Sequence, residues 1–402
     1  MVIVRNQIVI ISNFIGVNMK QNLRILFGGD YYPYKEIGEY VKKENKSSEI
    51  FGDLQKYINS VDFSIINLEF PAITNISKCA KIVKIGPNLK GRIIDIKPII
   101  DSNINVISLG NNHTLDYGWE GISQTKKYLE SNDKRCIGLS DNSNNLKFEE
   151  FSKDDLKIGI INVVESEFNL ATDNHGGAIP IDPIDIYHLC EKEKNKYDHI
   201  IMIFHGGQDF CYFPPPFMKK YLRFFIDIGF SAIICHHSHL ISGYEVYAGA
   251  PIFYGLGNLI YTTVMSKESN ETFAVELNIT KEKIDWSIVP LYFDRKKMKL
   301  IEKYSVKNKI EELSKIISND ALSKEKWQEF FSTYWEVNYL SILYGHNVYF
   351  WKFLKKMRLL RLYKRYFDIF NFRKIPVMNL IRRETHRDAL LYLLKKHYDN
   401  KN

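Results

Sequence analysis

The sequence predicts an α/β fold on a central sheet, followed by a helical C-terminal extension. Short apolar runs rich in Ile, Val and Phe, such as "LRILFGG", "DFSIINLE", "INVISLGN", "LKIGIINVV", "HIIMIFHGG" and "FSAIICHH", alternate with segments long enough to cross over as helices. Runs of this length bounded by Gly, Asn or Asp read as strands buried on both faces. From about Lys297 apolar residues recur instead at three- and four-residue spacing. Strand pattern gives way to helix pattern.

Residues 1–22 read as an N-terminal extension. Arg5 precedes a short apolar run that Ser12 and Asn13 interrupt, and Met19 stands just before the first strand. The run is too short and too broken to read as a bilayer span. The expected location is therefore cytoplasmic, peripheral on the inner membrane face; anchoring through the N-terminus is the alternative. Residues 23–296 carry the strand runs. Their later part, "YEVYAGAPIFYGLGNLIYTTV" and "ETFAVELNIT…IDWSIVPLYF", reads as antiparallel strands closing the sheet. Residues 297–402 read as a basic helical extension that Pro376 interrupts.

The chain has 402 residues, 45% of them hydrophobic, enough to fill a core. Its five cysteines are odd in number and contain no C-x-x-C pair, which argues against a disulfide framework and a zinc knuckle and for a reducing compartment. The net charge of +8 belongs to the tail: residues 351–402 hold 15 Lys and Arg against 4 Asp and Glu. There Phe353, Met357, Leu360, Tyr363, Phe367 and Phe370 form an apolar stripe. Packing on the main domain is the commoner use of such a stripe; peripheral contact of 350–402 with an anionic membrane is the sharper one. Nucleic acid is not expected, because no base-reading motif accompanies the charge.

Chemistry collects where the strand runs stop. Asp30, Glu69, the triplet Asn111, Asn112 and His113, then His205, and finally His236, His237 and His239 each follow one run. In α/β sheets, ligands bind outside the carboxyl ends of the strands, so these groups converge on one crevice. Singly, Asp30 reads as a cap, Glu69 as a loop carboxylate, Asn112 as a turn residue and His205 as a satisfied strand-end histidine. Five such sets in succession are seldom accidental. Carboxylate, amide and imidazole together suit Mn²⁺, Fe²⁺ or Zn²⁺ better than Ca²⁺ or Mg²⁺. There are ligands for two ions, which held about 3.5–4 Å apart can clamp a phosphoryl group for in-line displacement. Cys235, inside its strand, reads as a packing residue.

The blocks "FGGD", "INLEFP", "LGNNHTLDYG", "FHGGQDF" and "CHHSHLISGYEVYAGAPIFYGLGN" resemble, in order and spacing, the CapA or poly-γ-glutamate capsule-synthesis family, a branch of the calcineurin-like metallophosphoesterases. The resemblance runs from about Leu23 to Phe293. It implies a four-layer α/β/β/α sandwich with two divalent ions, Mn, Fe or Zn, between two sheets. Asp30 would ligate the first ion, Glu69 would bridge, and Asn112 and His205 would ligate the second. His237 and His239 would serve one ion each. His113, in its protonated form, would meet the reacting group, with Asp116 orienting its imidazole. Asn111 and His236 would contact the ligands or the substrate, His236 by packing or an outer contact only. Glu245 and Asn258, in "YEVYAGAPIFYGLGN", read either as contacts to the ligands or substrate or as plain turn residues.

Two positions depart from the pattern. Tyr32 stands where the wider superfamily has a histidine, as is common in the capsule branch, which leaves the first ion a ligand short and the second more tightly held. Cys235 stands where the family usually has Gly; its side chain would crowd a tight turn, though a strand end tolerates it. The implied function is a metal-dependent, phosphoesterase-like hydrolase in surface-polymer biosynthesis, acting on a phosphoester or on the polymer, including its γ-linked amides. The alternative is a non-catalytic assembly or export component of a polymer-synthase complex with a structural or vestigial metal site. Substrate-lining residues are expected in variable loops such as "NLATDNHGGAIPID", which carries His175.

Overall fold

The apolar runs form strands whose side chains are buried on both sides, and the layering follows from what covers them. The computed structural model describes residues 22–84, 86–143, 145–167, 169–263, 266–335 and 348–360. The strands are β1 (Leu23–Tyr32), β2 (Phe63–Leu68), β3 (Val106–Ser108), β4 (Arg135–Ile137), β5 (Leu139–Ser140), β6 (Glu149–Lys153), β7 (Leu156–Val164) and β8 (Gly177–Ala178). They continue with β9 (His199–His205), β10 (Phe230–His236), β11 (Tyr244–Tyr247), β12 (Ala250–Phe253), β13 (Asn258–Tyr261), β14 (Glu271–Ile279), β15 (Ile284–Asp294) and β16 (Lys299–Glu302). One sheet runs β16-β15-β14-β1-β2-β3-β4, with β13 also paired to β1; the other runs β11-β12-β10-β9-β7-β6. Among the described residues there are two large sheets where composition and run length suggested one, and β5 and β8 pair as a small third.

Between the sheets lies an apolar layer that includes Ile25, Phe27 and Ile65 from the first sheet with Ile160, Ile203 and Ile234 from the second. The helices Glu36–Glu44 and Gly118–Glu130 bury Ile37, Val41, Ile122 and Leu129 against the first sheet's other face. Helices Pro183–Glu193 and Pro216–Asp227 bury Ile186, Leu189, Leu222 and Phe225 against the second sheet. This is the four-layer α/β/β/α sandwich. Each strand alternates between an inner and an outer layer, so both faces must be apolar.

A register shift in β1 between Phe27 and Asp30 positions the first candidate ligand. Up to Phe27 the strand pairs with β14, and from Asp30 onward with β13. Gly29 permits the change: a Cβ there would lie 2.0 Å from the Gly257 carbonyl oxygen. Asp30 therefore lies within β1, not beyond it.

The boundary expected at residue 296 is displaced. β16 adds to the first sheet, and helix Tyr304–Ser318 buries Val306, Ile310 and Leu313 in the layer between the sheets. One compact unit continues to Trp327, because that helix contributes to its core. A second unit spans Gln328–Asn402. Its described part includes helix Val348–Lys356, on which Phe353 is exposed, as is Met357 just beyond it. Tyr363, Phe367, Phe370 and most of the tail's positive charge lie outside the described residues, as do residues 1–21 of the N-terminal extension. No described helix is long and apolar enough to cross a membrane.

Candidate metal centre

Four strand ends bring the predicted ligands together in the buried crevice. Glu69 directly follows β2, His205 ends β9, and Asn112 lies in the turn after β3. His237 and His239 follow β10 with φ of 100° and 56°. Left-handed backbone is uncommon for non-glycine residues, and here two such residues turn the chain sharply beside Asp30 and Glu69. His205 Nε2 lies 3.1 Å from Asn112 Oδ1, 3.2 Å from His237 Nδ1 and 3.7 Å from Glu69 Oε1. His239 Nε2 lies 3.6 Å from Glu69 Oε1, and its Nδ1 lies 3.7 Å from Asp30 Oδ2.

Among the described residues two groups of side chains can hold an ion: Glu69 with His205 and His237, and Asp30 with Glu69 and His239. Glu69 belongs to both. Its carboxylate is fully buried and neither oxygen has a hydrogen-bond partner among the described residues. Buried charge is normally paired or metal-bound, so this orphaned carboxylate fits a cation's place. Oxygen and imidazole donors together fit the borderline divalent ions.

The imidazoles are held from behind. His237 Nε2 lies 3.2 Å from Asp209 Oδ1, leaving Nδ1 turned toward His205 and Glu69. His239 Nδ1 lies 3.0 Å from Asn258 Oδ1, leaving Nε2 toward Glu69. Such contacts fix tautomer and ring orientation in metal sites.

Burial and charge divide the titrating groups. Burial opposes ionisation of Asp30, but the hydrogen bond from His236 and the neighbouring imidazoles outweigh it and hold its carboxyl well below the usual range. Burial pushes Glu69 well above the ordinary carboxylate value, and Asp30 and Asp209 add to the rise. Burial likewise lowers His205 and His239, whereas for His237 it is overcome by Asp209, Glu167 and Asp30, which raise it.

Beside the cluster, His113 Nδ1 lies 2.6 Å from Asp116 Oδ2. The Lys84 ammonium, its side chain 4% exposed, lies 2.5 Å from Asp116 Oδ1 and 3.1 Å from His113 Nδ1. Burial lowers the His113 pKa, Asp116 works the other way and Lys84 reinforces the fall. The crevice therefore shifts His113 toward its neutral form, against the protonated form expected from sequence.

Asn111 donates to Asn67 Oδ1 and the Leu68 carbonyl, tying the His113 turn to β2. His236 Nδ1 lies 3.1 Å from Asp30 Oδ1, a polar contact in place of mere packing. Glu245 is a correction: it faces Arg223, 2.9 and 2.6 Å away through two bonds, and accepts from Tyr254 on the outer side of the second sheet. The strand's alternation turns it from the crevice. Cys235 points into the outer layer, fully buried inside β10 and not at the turn, where its side chain is tolerated. Tyr32 packs against Phe70, Tyr34 and Tyr261. His175 is exposed.

Sequence reading missed Asn67, Lys84 and Asp209. An amide inside the apolar run "SIINLE" was the available signal for Asn67, and "HGGQD" for Asp209. Lys84 gave none, since its loop has no period.

The family described as bacterial capsule synthesis protein PGA_cap matches residues 24–263. The PGA biosynthesis protein CapA of Bacillus subtilis (strain 168) is 27% identical over 235 residues, 56% of this chain and 60% of that protein. The capsule biosynthesis protein CapA of Bacillus anthracis is 22% identical over 248 residues, 60% of each chain. The match thus spans about three fifths of the length of these relatives. Among solved structures, a novel phosphatase from Mycoplasma pneumoniae is similar with a TM-score of 0.44 at 14% identity, over 70% of this chain and 97% of that one. The protein TT1561 of Thermus thermophilus gives 0.35 at 11% identity, over 66% and 99%. Neither likeness bears on activity.

Proposed function

The chain belongs to the bacterial capsule synthesis protein family, and on that premise we propose that it serves surface-polymer biosynthesis, of poly-γ-glutamate type, as a metal-dependent hydrolase. The observation that carries this reading is the orphaned Glu69 carboxylate shared by two ligand groups. One divalent ion would be held by Asp30, Glu69 and His239, and a second by Glu69, Asn112, His205 and His237. The second has one donor more and is the tighter. Mn, Fe or Zn suits the mixed donors. Bound there, the pair supplies Lewis-acid stabilisation of a phosphoryl group and a nucleophile at neutral pH.

The protein's own residues do the rest. Asp116 engages His113 Nδ1 and leaves Nε2 to meet the substrate. An anionic group arriving at Nε2 stabilises the imidazolium, which reverses the effect of burial and lets His113 protonate the leaving oxygen. Lys84 balances the Asp116 charge. The substrate on this reading is a phosphoester or the polymer itself, the partner is a polymer synthase, and segment 350–402 touches the inner membrane face.

Metal analysis of protein purified without added metal, with an aryl phosphate assay in Mn²⁺, tests the reading. Two bound ions and phosphate release are expected, and His237→Ala loses metal. Unchanged metal in that variant removes the centre. A second reading, an assembly or export component with a vestigial site, is favoured by Tyr32, whose ring is built into an aromatic cluster where the superfamily has a ligand. Absence of ester turnover together with co-purification with a synthase would select it.

A further inference from the structure

Asp30 is held differently at its two oxygens. Oδ1 receives Asn67 Nδ2 at 2.8 Å and has His236 Nδ1 at 3.1 Å. Among the described residues Oδ2 receives only the His237 backbone N–H, at 3.2 Å, and it lies on the side of His239. A carboxylate oxygen offers about two lone-pair positions, so Oδ1 is saturated while Oδ2 keeps one. We propose that Asn67 and His236 form a two-point clamp that turns Asp30 so that Oδ2 alone faces the ion held with Glu69 and His239.

Both arms of the clamp are themselves fixed. Asn67 Oδ1 accepts from Asn111 Nδ2 at 3.1 Å, and Asn111 also donates to the Leu68 carbonyl at 2.8 Å. His236 is the last residue of β10, paired in register with His205, and only 3% exposed. Its ring has little room to swing. With a carboxylate at Asp30 as acceptor, the His236 proton sits on Nδ1. The consequence falls on the first ion position, because that position has three donors from the protein and its Asp30 cannot be replaced by Tyr32. An unclamped Asp30 loses orientation where there is no spare ligand to compensate. Asn67 and His236 are thus positioning residues, and the polar contact of His236 has a task that packing would not require.

This inference rests on the two-ion reading, and its test separates the two. Full-length protein stripped of metal is titrated with Mn²⁺ against a chromophoric chelator, and its electron paramagnetic resonance spectrum is recorded. The wild type binds two ions with an exchange-coupled spectrum. His236→Leu weakens one of them about 10- to 100-fold, the usual cost of losing an outer partner of a metal ligand, and gives the six-line spectrum of an isolated ion at intermediate Mn²⁺. The tighter ion is unaffected. His236→Asn, whose amide can donate from near the Nδ1 position, recovers most of the loss; Asn67→Ala, which opens the other arm, repeats it. Two ions bound with wild-type affinity by His236→Leu and Asn67→Ala would overturn the clamp and leave the two-ion reading standing. Equal weakening of both ions would overturn it too. A wild type that binds fewer than two ions would remove the two-ion reading and the clamp with it.

Discussion

Replacing Glu69 by Gln should stabilise the metal-free protein while weakening its response to metal. The side chain is fully buried and neither oxygen has a hydrogen-bond partner among the described residues. Leaving a buried polar group unpaired costs about 1–3 kcal/mol, and more when it is charged. The charge penalty has a ceiling, because Glu69 can protonate: from an unfolded pKa near 4.3, that costs about 3.7 kcal/mol at pH 7. The Gln amide is polar too, so the variant gains the charge part alone, up to about 4 kcal/mol at pH 7. For a unit of about 300 residues, an unfolding entropy of about 0.6 kcal/mol/K converts this into up to about 6 °C in Tm.

Calorimetry of chelator-stripped protein between pH 4 and 8, with and without Mn²⁺, reads the effect. Burial raises the folded pKa of Glu69, so between the unfolded and folded values the native state holds the extra proton. Stability conferred by that group is present at low pH and is lost as pH rises above about 4.3. The gap between Gln variant and wild type should thus open with rising pH and close near pH 4. In the wild type, metal at 100 times Kd adds about 2.7 kcal/mol per site, about 4 °C; the variant should show much less. A metal-free variant less stable than wild type, or an equal metal response in both, would refute the orphaned-carboxylate reasoning.

Four other outcomes are expected. His113→Ala should lower aryl phosphate turnover about 10²–10⁴-fold at unchanged bound metal, and metal loss in that variant would make His113 a ligand. Ile310→Ala should cost about 2–5 kcal/mol in chemical denaturation, since Ile310 is fully buried between the sheets; an unchanged midpoint would return its helix to a detached extension. Arg223 and Lys219 hold the Asp320 carboxyl down to about 2, so its contribution is present above the unfolded value near 3.9 and fades as pH falls toward 2. With that side chain 64% exposed, solvent screening leaves about 0.5–1 kcal/mol, and the gap between wild type and Asp320→Asn should shrink below pH 4 rather than widen. Cys235→Ala should cost about 1 kcal/mol from the outer core and leave bound metal unchanged, which metal analysis checks.

Much of the fold and of the candidate centre could be read along the chain, because both are written at strand ends. A run such as "HIIMIFH" must be a doubly buried strand, and a polar residue at its end must meet the crevice. That logic led to Asp30, Glu69, Asn112, His205, His237 and His239. It failed for Glu245, whose strand turns it toward Arg223, and for the boundary at residue 296, since helix periodicity shows an apolar face but not what covers it. It also had no purchase on Lys84, a loop residue that acts through distance alone.

The sequence by itself therefore determined the strand runs, the ligand types and their order, all of which depend on local period and residue chemistry. Only the tertiary structure decided which groups are left without a partner. That Glu69 has no donor among the described residues, that Asp30 Oδ1 takes two contacts and that His236 makes one of them depend on residues up to 206 positions apart. Burial and hydrogen-bond satisfaction are sums over all neighbours in space, and one-dimensional spacing does not contain them.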